Sequence, residues 1–197
     1  MIGIIIPTEQ ESKYITRKDG YKYIVSGAGK INATIAAMKL IFFEKVHAIL
    51  CLGSCGSVDN TSIGSIVYPS EYVQSDMDLS ALGLSYGMNL EDEKDYIYTL
   101  RIEDITAQME EITYIHSRIA TADKIIKDKK DSIFIYKYFN ADFVDMESYA
   151  IAKVCFNYNI PFSTIRAVTD NENNQGDWLT NLELAMNNLN KVIEQIL

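Results

Sequence analysis

Residues 144–171 read VDMESYAIAKVCFNYNIPFSTIRAVTDN, and the pattern in this stretch decides the fold class. Ala150, Ile151, Val154, Cys155 and Tyr158 recur at helical spacing, Asn159 and Pro161 end the helix, and Phe162 to Val168 form a short apolar run of strand length. Acidic residues flank the unit: Asp145 and Glu147 precede the helix and Asp170 follows the strand. Arg166 interrupts the apolar run. A buried guanidinium is seldom left unpaired, so Arg166 is expected to meet Asp145, Glu147 or Asp170. In open α/β sheets ligands bind outside the carboxyl ends of the strands, which makes Asp170 a candidate catalytic group. A turn with Asn171 accounts for Asp170 as well, and a helix start favoured by the dipole accounts for Glu147.

The same alternation extends outward in both directions. Ile2–Ile6 reads as a buried strand ending in Pro7, Thr8, Glu9, Gln10 and Glu11, so a second strand delivers carboxylates to its carboxyl end. Acidic decoration of a helix's first turn explains Glu9 and Glu11 equally well. Tyr21–Ser26 is a strand, followed by Gly27, Gly29 and Lys30 and by a helix with Ile31, Ile35, Met38 and Phe42 on one face. A phosphate-binding P-loop fails here, because the required earlier Gly and following Ser or Thr are Ile24 and Ile31. Ala48–Leu52 is a strand running into GSCGS at 53–57, a small-residue turn whose N–H groups suit hydroxyls or an anion. Ile63–Val67, Tyr72–Gln74, Tyr96–Leu100 and Tyr114–Ala120 read as strands, Asp104–Ile112 as a polar helix, and 75–87 as a loop with apolar residues for a pocket or subunit contact. Asp123 is expected to cap a solvated helix that follows it. A polar loop at 171–177 leads to a terminal amphipathic helix, for which a Thr180/Glu183 capping box with Leu179 and Leu184 as staple predicts a start at Thr180. Strands and helices alternating throughout predict a single α/β domain, residues 1–197, with a largely central sheet.

Composition excludes several classes. With 48% hydrophobic residues and 197 positions, the chain has enough apolar material for a sheet covered on both faces. A net charge of -9 offers no basic footprint for nucleic acid or an anionic membrane surface. Cys51, Cys55 and Cys155 are odd in number and only His47 and His116 accompany them, so neither a disulfide framework nor a metal cluster of usual spacing is expected. No run approaches a membrane span and no signal-peptide pattern opens the chain, so the expected location is cytoplasmic.

Taken together and in order, IGIIIPTEQES, SGAGKINA, LGSCGS, ATADKII, VDMESYAIAKVC and IRAVTDN resemble the nucleoside phosphorylase/nucleosidase family, on its methylthioadenosine/S-adenosylhomocysteine nucleosidase side. The resemblance implies a three-layer α/β/α domain around a mixed sheet, a purine nucleoside as ligand, a homodimer, and no cofactor or metal. It implies that Asp170 protonates the purine, that Glu11 activates water, and that Glu147 binds the ribose hydroxyls. Met146 would pack on the sugar with Ser54 on the same side, the Ile125 and Ile126 backbone would read the base edge, and Arg166 would hold the carboxylates. Leu79 and Leu82 match positions presented across a dimer interface.

The chemistry is coherent with these roles. Breaking an N-glycosidic bond needs a protonated leaving base and support for a cationic sugar, for which an acid and nearby carboxylates suffice. The phosphorylase branch carries an Arg shortly before the GSCG-like segment, where this chain has Cys51 and Leu52. Water is therefore the expected nucleophile. A purine nucleoside phosphorylase is the rival reading, to which the GSCGS wording leans, and a non-catalytic nucleoside-binding domain is a third.

Overall fold

A continuous apolar run needs cover on both faces, and β1 (Ile2–Ile6) receives it: Ile5 joins the core on one side of the sheet, Ile4 and Ile6 the core on the other. The computed structural model describes residues 1–91, 93–172 and 178–197. After β1 come α1 (Glu9–Ser12), β2 (Lys22–Val25), α2 (Lys30–Phe42), β3 (Ala48–Ser57), β4 (Ile66–Val67) and β5 (Glu71–Gln74). They are followed by β6 (Tyr96–Tyr98), α3 (Glu103–Met109), β7 (Arg118–Thr121), α4 (Lys129–Phe139), β8 (Phe143–Asp145), α5 (Ser148–Tyr158), β9 (Phe162–Asp170) and α6 (Trp178–Ile196).

Among the described residues the strands form one mixed sheet of nine, ordered β2-β1-β3-β8-β7-β5-β6, with β9 on β3 and β4 on β9. Helices α2 and α5 cover one face and α3 and α6 the other. This is the expected three-layer mixed α/β arrangement. Side chains alternate along β3 and β9, so Ile49, Cys51 and Phe162 lie towards α5 and Leu50, Leu52 and Ile165 towards α6. A third cluster beneath α4 includes Val73, Ala120, Ile135 and Phe139.

The sheet forks at β3. Its first half pairs with β1 up to Cys51, its last residues pair antiparallel with β8 from Gly56, and β9 runs parallel along the opposite edge up to Gly56. Residues 52–55 thus face a gap between the carboxyl ends of β1 and β8. Such a switch point is where open α/β sheets hold ligands.

Several local expectations are corrected. GSCGS is extended strand, not a turn, because β9 pairs with residues 53–56 and β8 with Gly56 and Ser57; its backbone is largely committed to the sheet. The apolar stripe of α2 faces outward, with Ile31 74% and Ile35 60% exposed. Ala33, Ala36, Ala37 and Leu40 form the buried face instead, since Leu40 packs directly over Gly3 of β1 and close approach to the sheet favours small residues. Helix α4 starts at Lys129 with Asp128 as its cap, not at Asp123. Helix α6 already includes Thr180, and both Leu179 and Leu184 are exposed, so the proposed capping box and staple are absent. The strand expected at Tyr114–Ala120 is shorter, Arg118–Thr121, with Ile115 making only an isolated bridge to Val67. Of the polar loop at 171–177, positions 173–177 lie outside the described residues.

Candidate active site

Three carboxylates reach the fork from three elements. Glu11 arrives on α1, a single turn fixed by a capping box: the Thr8 hydroxyl accepts from the Glu11 N–H at 3.2 Å while the Thr8 N–H donates to Glu11 Oε2 at 3.0 Å. The Thr8 hydroxyl also donates to Oε2 at 2.7 Å. Ser54, where β3 has no partner on its β1/β8 edge, donates to Oε1 through its N–H at 2.8 Å and its hydroxyl at 2.7 Å. The carboxylate that completes the cap of α1 is therefore the one that also bonds Ser54 at the fork. Gly53 is required beside it, because a Cβ there would lie 2.6 Å from Arg166 Nη1 and 3.0 Å from Glu11 Oε1.

Glu147 stands at the N-terminus of α5 without capping it by its side chain. Its Oε1 instead accepts from the Gly29 N–H at 2.9 Å, which ties the start of α5 to the start of α2. Burial pushes its carboxyl up to about 7; Arg166 pulls it down and Asp145 pushes it up again. The Asp145 side chain, two residues before the cap position, accepts from the first N–H of α5, that of Ser148, at 3.0 Å, and also from the Thr121 hydroxyl at 2.6 Å. The Lys30 N–H at the start of α2 donates to Asp123 Oδ1 at 2.8 Å, so Asp123 caps a helix other than its neighbour in sequence.

Arg166 is fully buried behind the cavity wall. Its Nη2 meets Asp145 Oδ2 at 2.6 Å and Glu147 Oε2 at 3.5 Å, and donates to Ser148 Oγ at 3.1 Å and Cys51 Sγ at 3.3 Å. Asp145 and Glu147, two of the three candidate carboxylates, thus meet it. Burial pushes the Cys51 thiol up to about 12, which keeps it protonated as a weak acceptor. Cys51, Cys55 and Cys155 are all free and buried.

Asp170 ends β9 opposite Gly56, with Oδ1 accepting from the Thr169 hydroxyl at 2.9 Å. A Cβ on Gly56 would come within 2.9 Å of Asp170 Oδ2, so this carboxylate is packed directly against β3. A cavity of about 270 Å³ opens between these groups. Glu11, Ser54, Ile125, Ile126, Met146, Glu147 and Asp170 all line it; Arg166 does not. Its walls are largely apolar, with Pro7, Ala28, Val144 and Trp178 contributing. Few convergent polar groups in an apolar cleft suit a small, partly aromatic ligand. Leu79 and Leu82 lie away from this cavity on an exposed loop, beside a 3-10 turn at Ser80–Leu82.

Sequence reasoning missed Thr8, Lys124 and Trp178. The Thr8-x-x-Glu11 capping box was available as a signal. Trp178 reads as part of the terminal helix's apolar stripe, yet its Nε1–H donates to Ser54 Oγ at 2.8 Å. Lys124 lines the cavity but its Nζ is paired with Asp131 at 2.5 Å. Lys30, the other basic residue near the fork, is turned to Asp76 at 2.5 Å.

Comparison with known proteins adds an independent line. A family model described as the phosphorylase superfamily matches residues 7–197. The 5'-methylthioadenosine/S-adenosylhomocysteine nucleosidase of Buchnera aphidicola is 31% identical over 181 residues, covering 88% of this chain and 78% of that protein. The enzyme of that name from Shewanella sp. is 34% identical over 155 residues, covering 76% and 67%. Among solved structures, the Helicobacter pylori nucleosidase with butyl-thio-DADMe-Immucillin-A superposes with a TM-score of 0.89 at 22% identity, covering 99% of this chain and 96% of that one. Futalosine hydrolase from the same organism gives 0.89 at 23%, with the same coverage. These two likenesses establish the fold.

Proposed function

The chain belongs to the phosphorylase superfamily, and on that premise we propose that it is a purine nucleosidase that hydrolyses the N-glycosidic bond of 5'-methylthioadenosine, S-adenosylhomocysteine or both, releasing adenine and the free sugar. One observation carries the reading: Glu11, Glu147 and Asp170, from three separate elements, line one cavity of about 270 Å³ at the fork of the sheet. Asp170 protonates the purine as the bond breaks. Glu147 grips the ribose hydroxyls, and its charge favours the developing sugar cation. Glu11 orients water and accepts its proton. Met146 and Ser54 pack on the sugar, the Ile125–Ile126 backbone reads the base edge, and Arg166 positions Glu147 from behind. Residues 1–197 act as one domain in this reading.

Water is favoured over phosphate as the nucleophile on charge grounds. A phosphate dianion beside these carboxylates needs cationic compensation. The three basic side chains nearest the fork are already committed: Arg166 to Asp145, Lys30 to Asp76 and Lys124 to Asp131. The outward face of α2, with Ile31 and Ile35 exposed and Phe42 ring-packed on Tyr158 at 5.0 Å, supports a homodimer through that face. Free buried thiols support a reducing, cytoplasmic setting, where the activity would serve methionine salvage.

A panel of methylthioadenosine, S-adenosylhomocysteine, futalosine, adenosine and inosine, assayed with and without phosphate, tests this. Release of adenine from the first two at equal rates in both buffers is expected. Cleavage that depends strictly on phosphate would promote the phosphorylase reading, and saturable binding without cleavage the non-catalytic one.

A further inference from the structure

Trp178 opens α6 at the cavity wall and is the only tryptophan of the chain. Its Nε1–H donates to Ser54 Oγ at 2.8 Å across a separation of 124 residues. An indole nitrogen gives a hydrogen and accepts none, so the serine oxygen is the acceptor in this contact. The same oxygen lies 2.7 Å from Glu11 Oε1, and the serine's own hydrogen fills that second contact. Glu11 thereby takes two donors on each oxygen. Three of those donors are held locally, the two from Thr8 by the helix cap and the Ser54 N–H by strand β3. The fourth is a hydroxyl rotor, and Trp178 sets it.

Resting on the nucleosidase reading above, we infer that Trp178 is a positioning residue for Glu11: it fixes the Ser54 hydroxyl proton on Glu11 Oε1 and so holds the water-activating carboxylate in one orientation. The terminal helix is thereby coupled to the chemistry at the start of the chain. A tryptophan serving only as cavity wall would act through its ring alone. The N–H contact adds a dependence on Ser54 that a wall does not have.

The test is a double-mutant cycle with methylthioadenosine as substrate. Trp178→Phe keeps an aromatic ring and removes the N–H, and should lower kcat about fivefold to tenfold with KM within about twofold, as expected for loss of one hydrogen bond. In a Ser54→Ala background the same change should cause no further loss. Independently of turnover, Ser54→Ala should shift the emission maximum of the single tryptophan, because the indole loses its acceptor. Equal losses in both backgrounds, no loss in either, or an unmoved emission would each overturn the inference while leaving the nucleosidase reading standing. Wild-type protein that cleaves no nucleoside although the emission shift is present would sink the nucleosidase reading, and the positioning role of Trp178 with it.

Discussion

At Glu147 burial and charge pull in opposite directions: desolvation favours the neutral acid, Arg166 favours the carboxylate, and the balance sits at about 7 against an ordinary 4.5. Between those values the folded protein holds a proton that the unfolded chain has released. The stability from this group is therefore fullest below the unfolded value, declines as pH rises through the window, and is flat above about 7. Thermal unfolding of wild type and Glu147→Gln from pH 4 to 8 should show the wild-type advantage shrinking with rising pH; a difference independent of pH would contradict the shift. Asp170→Asn keeps shape and removes the acid, so kcat should fall ~100-fold or more if protonation of the base limits turnover. The check is steady-state kinetics beside an unfolding curve, and near-normal turnover would remove Asp170 from the role. Asp170 was legible as a candidate because it follows an apolar strand, and Glu147 because it precedes an apolar helix. The partners of Glu147 were not, since the Gly29 N–H lies 118 residues away and nothing in local spacing announces it.

Helix α2 shows that apolar spacing gives an element's extent without giving its facing. Its extent followed from the glycine turn and the apolar spacing, but it carries two apolar faces, and the larger side chains are on the outer one. Sequence periodicity weighs side-chain size, whereas contact with the sheet at Gly3 selects small residues. The outward face then predicts self-association. Ile35→Glu, which puts a charge on that face, should turn a dimer into a monomer at micromolar concentration in sedimentation equilibrium, with the monomer still folded. A wild type that is monomeric at all accessible concentrations would remove the dimer. Helix α4 is a simpler lesson: two aspartates precede it, and only the N–H that each accepts decides which helix it caps.

For the whole molecule, the α/β class and central sheet followed from alternating patterns and the three layers and mixed pairing from the family resemblance, whereas the fork at β3 followed from neither. GSCGS looks like a turn because Gly and Ser dominate it, and it becomes strand because β9 lies alongside and close packing against Arg166 and Asp170 excludes larger residues. That fork gathers carboxylates from the start, middle and end of the chain, and the central claim is that water attacks the sugar there. Cleavage of methylthioadenosine in water enriched in oxygen-18, with mass spectrometry of the sugar, measures this directly. The account predicts a free sugar carrying one heavy oxygen at the anomeric carbon, formed without phosphate. An unlabelled sugar 1-phosphate, formed only when phosphate is added, would contradict it.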